Sequence, residues 1–166
     1  LYIQIISVTF SVTLQEMYDD AEPANGYDKF LMLESNQIYQ GGIGFFSGNV
    51  YINCQGSTID LMDGLGIWLS GDNSNLDIEY CTIYNGYEYG IDFAGQSTGN
   101  ISNCNFINNQ IGLTLHGESY VIVKNSNFIN NSTYGTGIYT EIPILEISYS
   151  NFWENPEGDC MENCPG

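Results

Sequence analysis

The chain has 166 residues, enough for one domain with a continuous apolar core. Asp and Glu number 20 against 2 cations, Lys29 and Lys124, which leaves a formal net charge of -18 and no arginine. Affinity for nucleic acid or for an anionic membrane rests on basic side chains, so neither is an expected partner; cations or a cationic surface are more natural company.

The opening LYIQIISVTFSVTLQEM admits two readings. It fits the end of a secretory signal. It also fits a half-buried strand, because Ile6, Val8, Phe10, Val12 and Leu14 alternate with Ser7, Thr9, Ser11 and Thr13. Either reading, with the abundance of Asn, Gly, Ser and Tyr, points to a secreted or cell-surface protein. No other stretch approaches a membrane span, and membrane insertion is not expected. Residues 1–28 thus form an N-terminal strand or signal remnant with a capping segment, residues 29–155 a repetitive body, and residues 156–166 a cysteine-containing tail.

The body repeats itself. GIWLSGDNSNLDIEYCTIYNG, GIDFAGQSTGNISNCNFINNQ, GLTLHGESYVIVKNSNFINN and GIYTEIPILEISYSNFWEN share one grammar. Their opening glycines Gly66, Gly90, Gly112 and Gly137, with Gly42 upstream, are spaced by 24, 24, 22 and 25 residues. Such a period with loops of variable length predicts a solenoid whose coils bury their apolar faces on one another. Each repeat holds short apolar patterns without helical periodicity, so the elements are strands.

Same-sense strands one repeat apart stack in parallel, and aligned residues become side-chain ladders. The closing strands align Ile78, Ile101, Val123 and Ile147; Cys81, Cys104, Ser126 and Ser150; and Ile83, Phe106, Phe128 and Phe152. The opening strands align Ile43, Ile67, Ile91, Leu113 and Ile138, then Phe45, Leu69, Phe93, Leu115 and Thr140, where the stack is expected to loosen. Asparagine accepts left-handed corners and bonds amides above and below, so Asn105, Asn127 and Asn151 read as a ladder, with Asn108, Asn109, Asn130 and Asn131 at the next bend. Cys54, Cys81 and Cys104 fall at coil spacing and read as small buried residues. Cys160 and Cys164 lie in a Gly- and Pro-containing tail, where a disulfide is the simpler reading and half of a metal site the other.

These columns, from Lys29 to Asn155, resemble the parallel β-helix repeat of right-handed β-helix proteins, the pectate-lyase-like superfamily, in its secreted bacterial form. NVYINCQGSTIDLMDGLGIWL is similar to early coils of such proteins, and TLQEMYDDAEP to the short amphipathic helix that caps their N-terminal end. The resemblance implies an all-β, right-handed parallel solenoid of about five to six coils with a short N-terminal helix. The tail resembles the point where a longer loop leads into a further coil, which implies a longer parent.

Activity is less legible, because this fold hosts lyases, hydrolases, adhesins and spacers. The lyases of the superfamily use a basic residue beside calcium-binding aspartates. Here Lys124 reads as a solvated lysine, since the aligned Glu79, Ser102 and Ser148 form no calcium cluster. The hydrolases carry clustered aspartates, a Gly-His-Gly turn and an Arg-Lys motif; TLHGES supplies only His116 and Gly117. The outward column Trp68, Asp92, Thr114 and Tyr139, with His116 and Glu141 nearby, is a candidate sugar-binding face: rings stack and Asp92 accepts from hydroxyls. It holds one carboxylate where glycoside hydrolysis needs two. Asp60 and Asp63 in IDLMDG are candidate oxygen ligands for a hard cation, without a full calcium loop. No cofactor is required, and calcium is the candidate ion, held diffusely by net charge. The sequons at Asn100, Asn130 and Asn131 matter only in a glycosylating host.

Tyr84, Ile107, Ile129 and Trp153 directly follow the Ile/Phe column. Alternation places them outside, unless a corner turns both columns inward. An external stripe predicts a homo-oligomer or filament, formed through it or through coil ends, with calcium favouring association. The leading expectation is a non-catalytic β-helix acting as a structural, self-assembling or binding element, polysaccharide being the candidate ligand. The alternative is a carbohydrate-active enzyme, a polysaccharide lyase or glycoside hydrolase, or a truncated piece of one.

Overall fold

The structure is a computed structural model that describes residues 11–139 and 143–161. Its body is a parallel β-solenoid in which every coil contributes one strand to each of three sheets. The first sheet stacks β1 (Lys29–Met32), β4 (Gly48–Asn53), β7 (Ser74–Glu79), β10 (Thr98–Ser102), β13 (Tyr120–Lys124) and β16 (Ile144–Ser148) in that order. The second stacks β2 (Ile38–Gln40), β5 (Thr58–Asp60), β8 (Thr82–Tyr84), β11 (Asn105–Ile107), β14 (Asn127–Ile129) and β17 (Asn151–Trp153). The third stacks β3 (Gly44–Phe45), β6 (Ile67–Ser70), β9 (Tyr89–Ala94), β12 (Ile111–Leu115), β15 (Tyr134–Ile138) and β18 (Gly158–Met161). Six strands in each sheet make six coils. The last strand lies within what the sequence reads as a tail.

The predicted columns are the core. Ile83, Phe106, Phe128 and Phe152 pair rung by rung, and the three phenylalanine rings stack at centroid distances of 4.7 and 4.8 Å. Ile83, Phe106 and Phe128 are fully buried. Alternation then sends Tyr84, Ile107, Ile129 and Trp153 outward, so the reading with both columns inside is set aside.

The coils bend at left-handed residues, one set at Tyr80, Asn103, Asn125 and Tyr149 and another at Asn85, Asn108, Asn130 and Glu154. The expectation that Asn105, Asn127 and Asn151 take that conformation is corrected: they lie in strands, and the residues two before and three after each make the turns, asparagines around the first two and Tyr149 and Glu154 around Asn151. Their ladder nevertheless exists, since Asn127 donates to Asn105 at 2.8 Å and Asn151 to Asn127 at 3.0 Å. A second ladder of Asn109, Asn131 and Asn155 runs inside the solenoid. Asn131 Nδ2 donates to Asn155 Oδ1 and to the Phe106 carbonyl, while its Oδ1 accepts from the backbone and side chain of Asn109. Asn131 is fully buried, which removes that sequon from the folded surface.

The last opening strand departs from the expected register. Gly135, not Gly137, continues the glycine series, because Leu113 pairs with Thr136, Thr114 with Gly137 and Leu115 with Ile138. Ile138 therefore belongs to the Phe93/Leu115 column, and Thr140, placed there by the sequence, lies outside the described residues. The glycine series needs its missing Cβ: one added to Gly112 would come within 2.6 Å of the Gly135 carbonyl.

Cys54, Cys81 and Cys104 are buried as expected, and two of them are bonded. Cys54 and Cys81 form a disulfide between adjacent coils, with Cα atoms 4.9 Å apart, and only Cys104 remains a free buried thiol among the described residues. Parallel stacking brings Cα atoms of one column to the distance a disulfide requires, so spacing by one coil permits the bond. Burial pushes the Cys104 thiol up to about 12. The expected Cys160–Cys164 bond depends on Cys164, which lies outside the described residues.

At the N-terminal end α1 (Leu14–Asp20) begins with a capping box, in which Thr13 Oγ1 accepts from the Glu16 amide and Glu16 accepts from the Thr13 amide. Leu14 is buried against the first coil and Tyr18 stacks over Phe45. The alternating strand pattern thus gives way at Leu14, and its residues 1–10 lie outside the described part. Lys29 Nζ donates to the Asp19 and Ala21 carbonyls, a cation at the negative end of the helix. Lys124 is exposed, as the sequence implies.

Candidate functional site

The outer face of the third sheet collects most of the predicted residues. Trp68 pairs with Asp92 and Asp92 with Thr114, so the expected column is real over three coils. Its upstream neighbour Gly44 has no side chain, and the Trp68 indole lies across it: an added Cβ would sit 2.0 Å from the ring. Phe46, which the sequence did not single out, is 70% exposed and meets that indole edge-on with centroids 5.0 Å apart. Together they form an open aromatic surface at one end of the face.

At the other end the shifted register matters. Gly137 occupies the position opposite Thr114, so Tyr139 leaves the predicted column and instead stacks on His116, with centroids 4.4 Å apart and planes within 5°. The Asp92 carboxylate lies between the two aromatic ends. Its Oδ1 is 3.2 Å from His116 Nε2 and accepts from Thr114 Oγ1 at 2.5 Å. Thr114 is only 1% exposed, so its hydroxyl orients Asp92 and does not meet a ligand. Tyr89 stands close by; burial first, then the charges of Asp92 and Glu88, push its phenol up to about 12. Burial with the same two charges also raises the Tyr139 phenol. Glu141 lies outside the described residues.

Chemically, this face offers flat rings separated by a carboxylate that is 14% exposed and has one oxygen engaged by Thr114 and His116. Thr114 and His116 both address Asp92 and not each other, so among the described residues these side chains form no nucleophile-to-base pair. That geometry suits holding a ligand with apolar ring faces and hydroxyl edges.

The first sheet carries a second cluster absent from the predicted set. Asp77 and Glu79 alternate along β7 and so project to the same outer face. Tyr27 donates to Asp77 at 2.6 Å, Asn100 donates to it twice, and Glu79 accepts from Tyr51 and Asn53. Phe30 stacks on Tyr51 at 4.7 Å. The bond to Asp77 is the first cause that pushes the Tyr27 phenol up to about 12. A shallow depression of about 160 Å³ is lined by Tyr51, Asp77, Glu79, Asn100 and Ser102. The D-x-E spacing in a strand signals this pair, but Tyr27 arrives from 50 residues away and no local pattern reveals it.

The candidate cation ligands Asp60 and Asp63 stand at the corner where β5 ends. Asp60 Oδ1 accepts from the Met62 amide and from Asn85 Nδ2, closing a corner, while Asp63 is exposed on the left-handed residue beyond it. Among the described residues no group of three or more His, Cys, Asp or Glu side chains stands ready to hold a metal ion. No helix among them is long and apolar enough to cross a membrane.

Comparison with known proteins adds the family. The family model described as right handed beta helix region matches residues 37–163. No curated protein and no solved structure matches the chain.

Proposed function

The chain belongs to the right-handed β-helix family, and we propose that within it this protein is a non-catalytic element that binds a glycan along the outer face of its third sheet. The carrying observation is the row of Trp68 with Phe46, then Asp92, then His116 with Tyr139, on one sheet face. Trp68 lies in the second coil and His116 in the fourth, so the ring platforms are about two strand spacings apart, roughly 10 Å. That length accommodates consecutive sugar units of an extended chain, with Asp92 accepting from hydroxyls between them. A net charge of -18 disfavours uronate polymers, so the glycan class is neutral or amino-sugar. Rigid strands and a carboxylate pre-oriented by Thr114 favour binding, because little side-chain freedom remains to be lost.

Affinity electrophoresis and titration calorimetry against soluble β-glucans, mannans and chitosan oligomers test this reading. Trp68→Ala or Tyr139→Ala is expected to weaken binding at least about tenfold, the loss of one good aromatic contact of ~1.4 kcal/mol. No new reducing ends should form. Absence of binding to all three glycan types, or binding that ignores both substitutions, overturns it.

The Asp77/Glu79 pair favours a second reading, hydrolysis, since two carboxylates on one face are the minimum for glycosidase chemistry. Against it, both side chains already accept hydrogen bonds from Tyr27, Asn100, Tyr51 and Asn53, as structural carboxylates do. Release of reducing ends that disappears in Glu79→Gln would establish the enzyme.

A further inference from the structure

The outer face of the second sheet has a sequence that reads alike in both directions along the solenoid axis. Over coils three to six its outermost strand column is Tyr84, Ile107, Ile129, Trp153: an aromatic ring, two isoleucines, an aromatic ring. The left-handed corner beside it runs Tyr80, Asn103, Asn125, Tyr149, again symmetric. Between them lie Thr82, Asn105, Asn127 and Asn151, the outer asparagine ladder. Three of the four rings are exposed, Tyr149 at 86%, Trp153 at 65% and Tyr80 at 49%, while Tyr84 and the two isoleucines are half-buried.

Charge points the same way. The protein has 20 acidic residues, yet over coils three to six these three columns contain none; they are flanked by Glu79, which precedes Tyr80 at the end of β7, by Asp60, one coil below Tyr84, and by Glu154, in the corner after Trp153. Depletion of charge around an apolar centre with exposed Tyr and Trp is the composition of an interface.

We propose that this face binds a second copy of the chain in an antiparallel, two-fold arrangement, with the symmetry axis parallel to the strands and passing between the fourth and fifth coils. In an isologous contact each surface must complement itself. This axis sets Ile107 against Ile129 of the second copy, Tyr84 against its Trp153, and Tyr80 against its Tyr149. Asn105 meets Asn127 and Asn103 meets Asn125, while Asn151 faces Thr82, and these polar pairs can exchange hydrogen bonds. Glu154 then faces Asn85 and not its own equivalent, so the interface opposes no like charges. Four stacked strands cover ~19 Å along the axis and their three residues ~10 Å across it, and the rings and asparagines of the corner column widen the contact to at most about 400 Å² per copy. The total of at most about 800 Å² lies at the low end for specific complexes, so the dimer is reversible. Repulsion between two strongly acidic bodies makes it stronger as salt screens them.

Sedimentation of the full chain over a wide concentration range, at about 20 mM and about 300 mM salt, reads the association. Concentration-dependent dimers that strengthen with salt are expected, and Ile129→Glu and Trp153→Glu should each abolish them with an unchanged melting curve. Mixing Ile107→Cys with Ile129→Cys protein then tests the geometry: under mild oxidation the mixed pair should cross-link at least about tenfold faster than either variant with itself. A monomer under all conditions, or association untouched by Ile129→Glu, overturns the dimer. Preferential cross-linking of each variant to itself overturns the antiparallel axis. Glycan binding on the third sheet is a separate measurement, so either proposal can fail alone.

Discussion

Replacing Asn131 by leucine keeps the branched outline of the side chain, at somewhat larger volume, while removing every polar atom from the middle of the inner ladder. Four hydrogen bonds disappear: two donated by Asn131 Nδ2, to Asn155 and to the Phe106 carbonyl, and two accepted by its Oδ1, from the Asn109 amide and side chain. The Asn109 backbone N–H loses its acceptor inside the protein, which costs about 1–3 kcal/mol, and the other three bonds contribute about 1 kcal/mol each. Burial of the isobutyl group returns ~1–1.5 kcal/mol, so the net loss is about 3–5 kcal/mol. For a chain of this size that corresponds to a fall in Tm of roughly 10 °C. The control is Asn127→Leu in the outer ladder, where both lost amide bonds are replaced by water and the expected change stays within about 1 kcal/mol. Thermal and urea unfolding followed by circular dichroism measures both. Equal destabilisation by the two substitutions would refute the reasoning, because it would mean that burial of the ladder does not set its worth.

Two further outcomes follow from the same geometry. Cys54→Ser combined with Cys81→Ser opens a cross-link between residues 27 apart, and the unfolded chain gains freedom worth about 3–4 kcal/mol, read as a lower urea midpoint; a loss under ~1 kcal/mol would contradict the predicted effect. The Tyr27 phenol, held up at about 12 chiefly by its bond to Asp77, keeps its proton in the folded state after the unfolded chain has released it at the ordinary value of 10.0. Stability from this group is therefore complete below pH 10 and declines as pH rises towards 12, and Tyr27→Phe should flatten that decline in base titrations of Tm.

The inner columns were legible in the sequence because packing repeats what it needs. Phe106, Phe128 and Phe152 occupy equivalent volumes one coil apart, so equal environments select equal residues and the period shows. The register error at the last opening strand has a local cause. YGTGI offers two glycines, and the repeated Gly-Ile pair at Gly137 conceals the pair Tyr134-Gly135, which matches Tyr89-Gly90 one residue for one residue and gives the more regular step. That single choice moved Tyr139 into the Asp92 column and hid its stack on His116. The disulfide was hidden differently: the cysteines were correctly placed in a buried column, but column position alone does not say whether neighbours are bonded.

Outward columns follow another logic, and it separates the two surfaces this protein presents. Solvent imposes no volume on an outer side chain, so a repeated outer column requires a cause other than the core. In the second sheet the cause is partly visible, since asparagine bonds asparagine along the ladder. The isoleucines and rings beside it gain nothing comparable from their own chain. The third sheet shows the opposite pattern, in which Gly44, Trp68, Asp92, Thr114 and Gly137 succeed one another without repetition. Their side chains are nevertheless committed to each other: glycine makes room for the indole and threonine orients the carboxylate. Repetition on the outside suits a surface that meets its like, and a non-repeating but mutually oriented set suits one that meets something different. On that reasoning the second sheet is the proposed self-association face and the third the proposed ligand face, and exchanging Trp68 should leave sedimentation unchanged while exchanging Ile129 should leave glycan affinity unchanged.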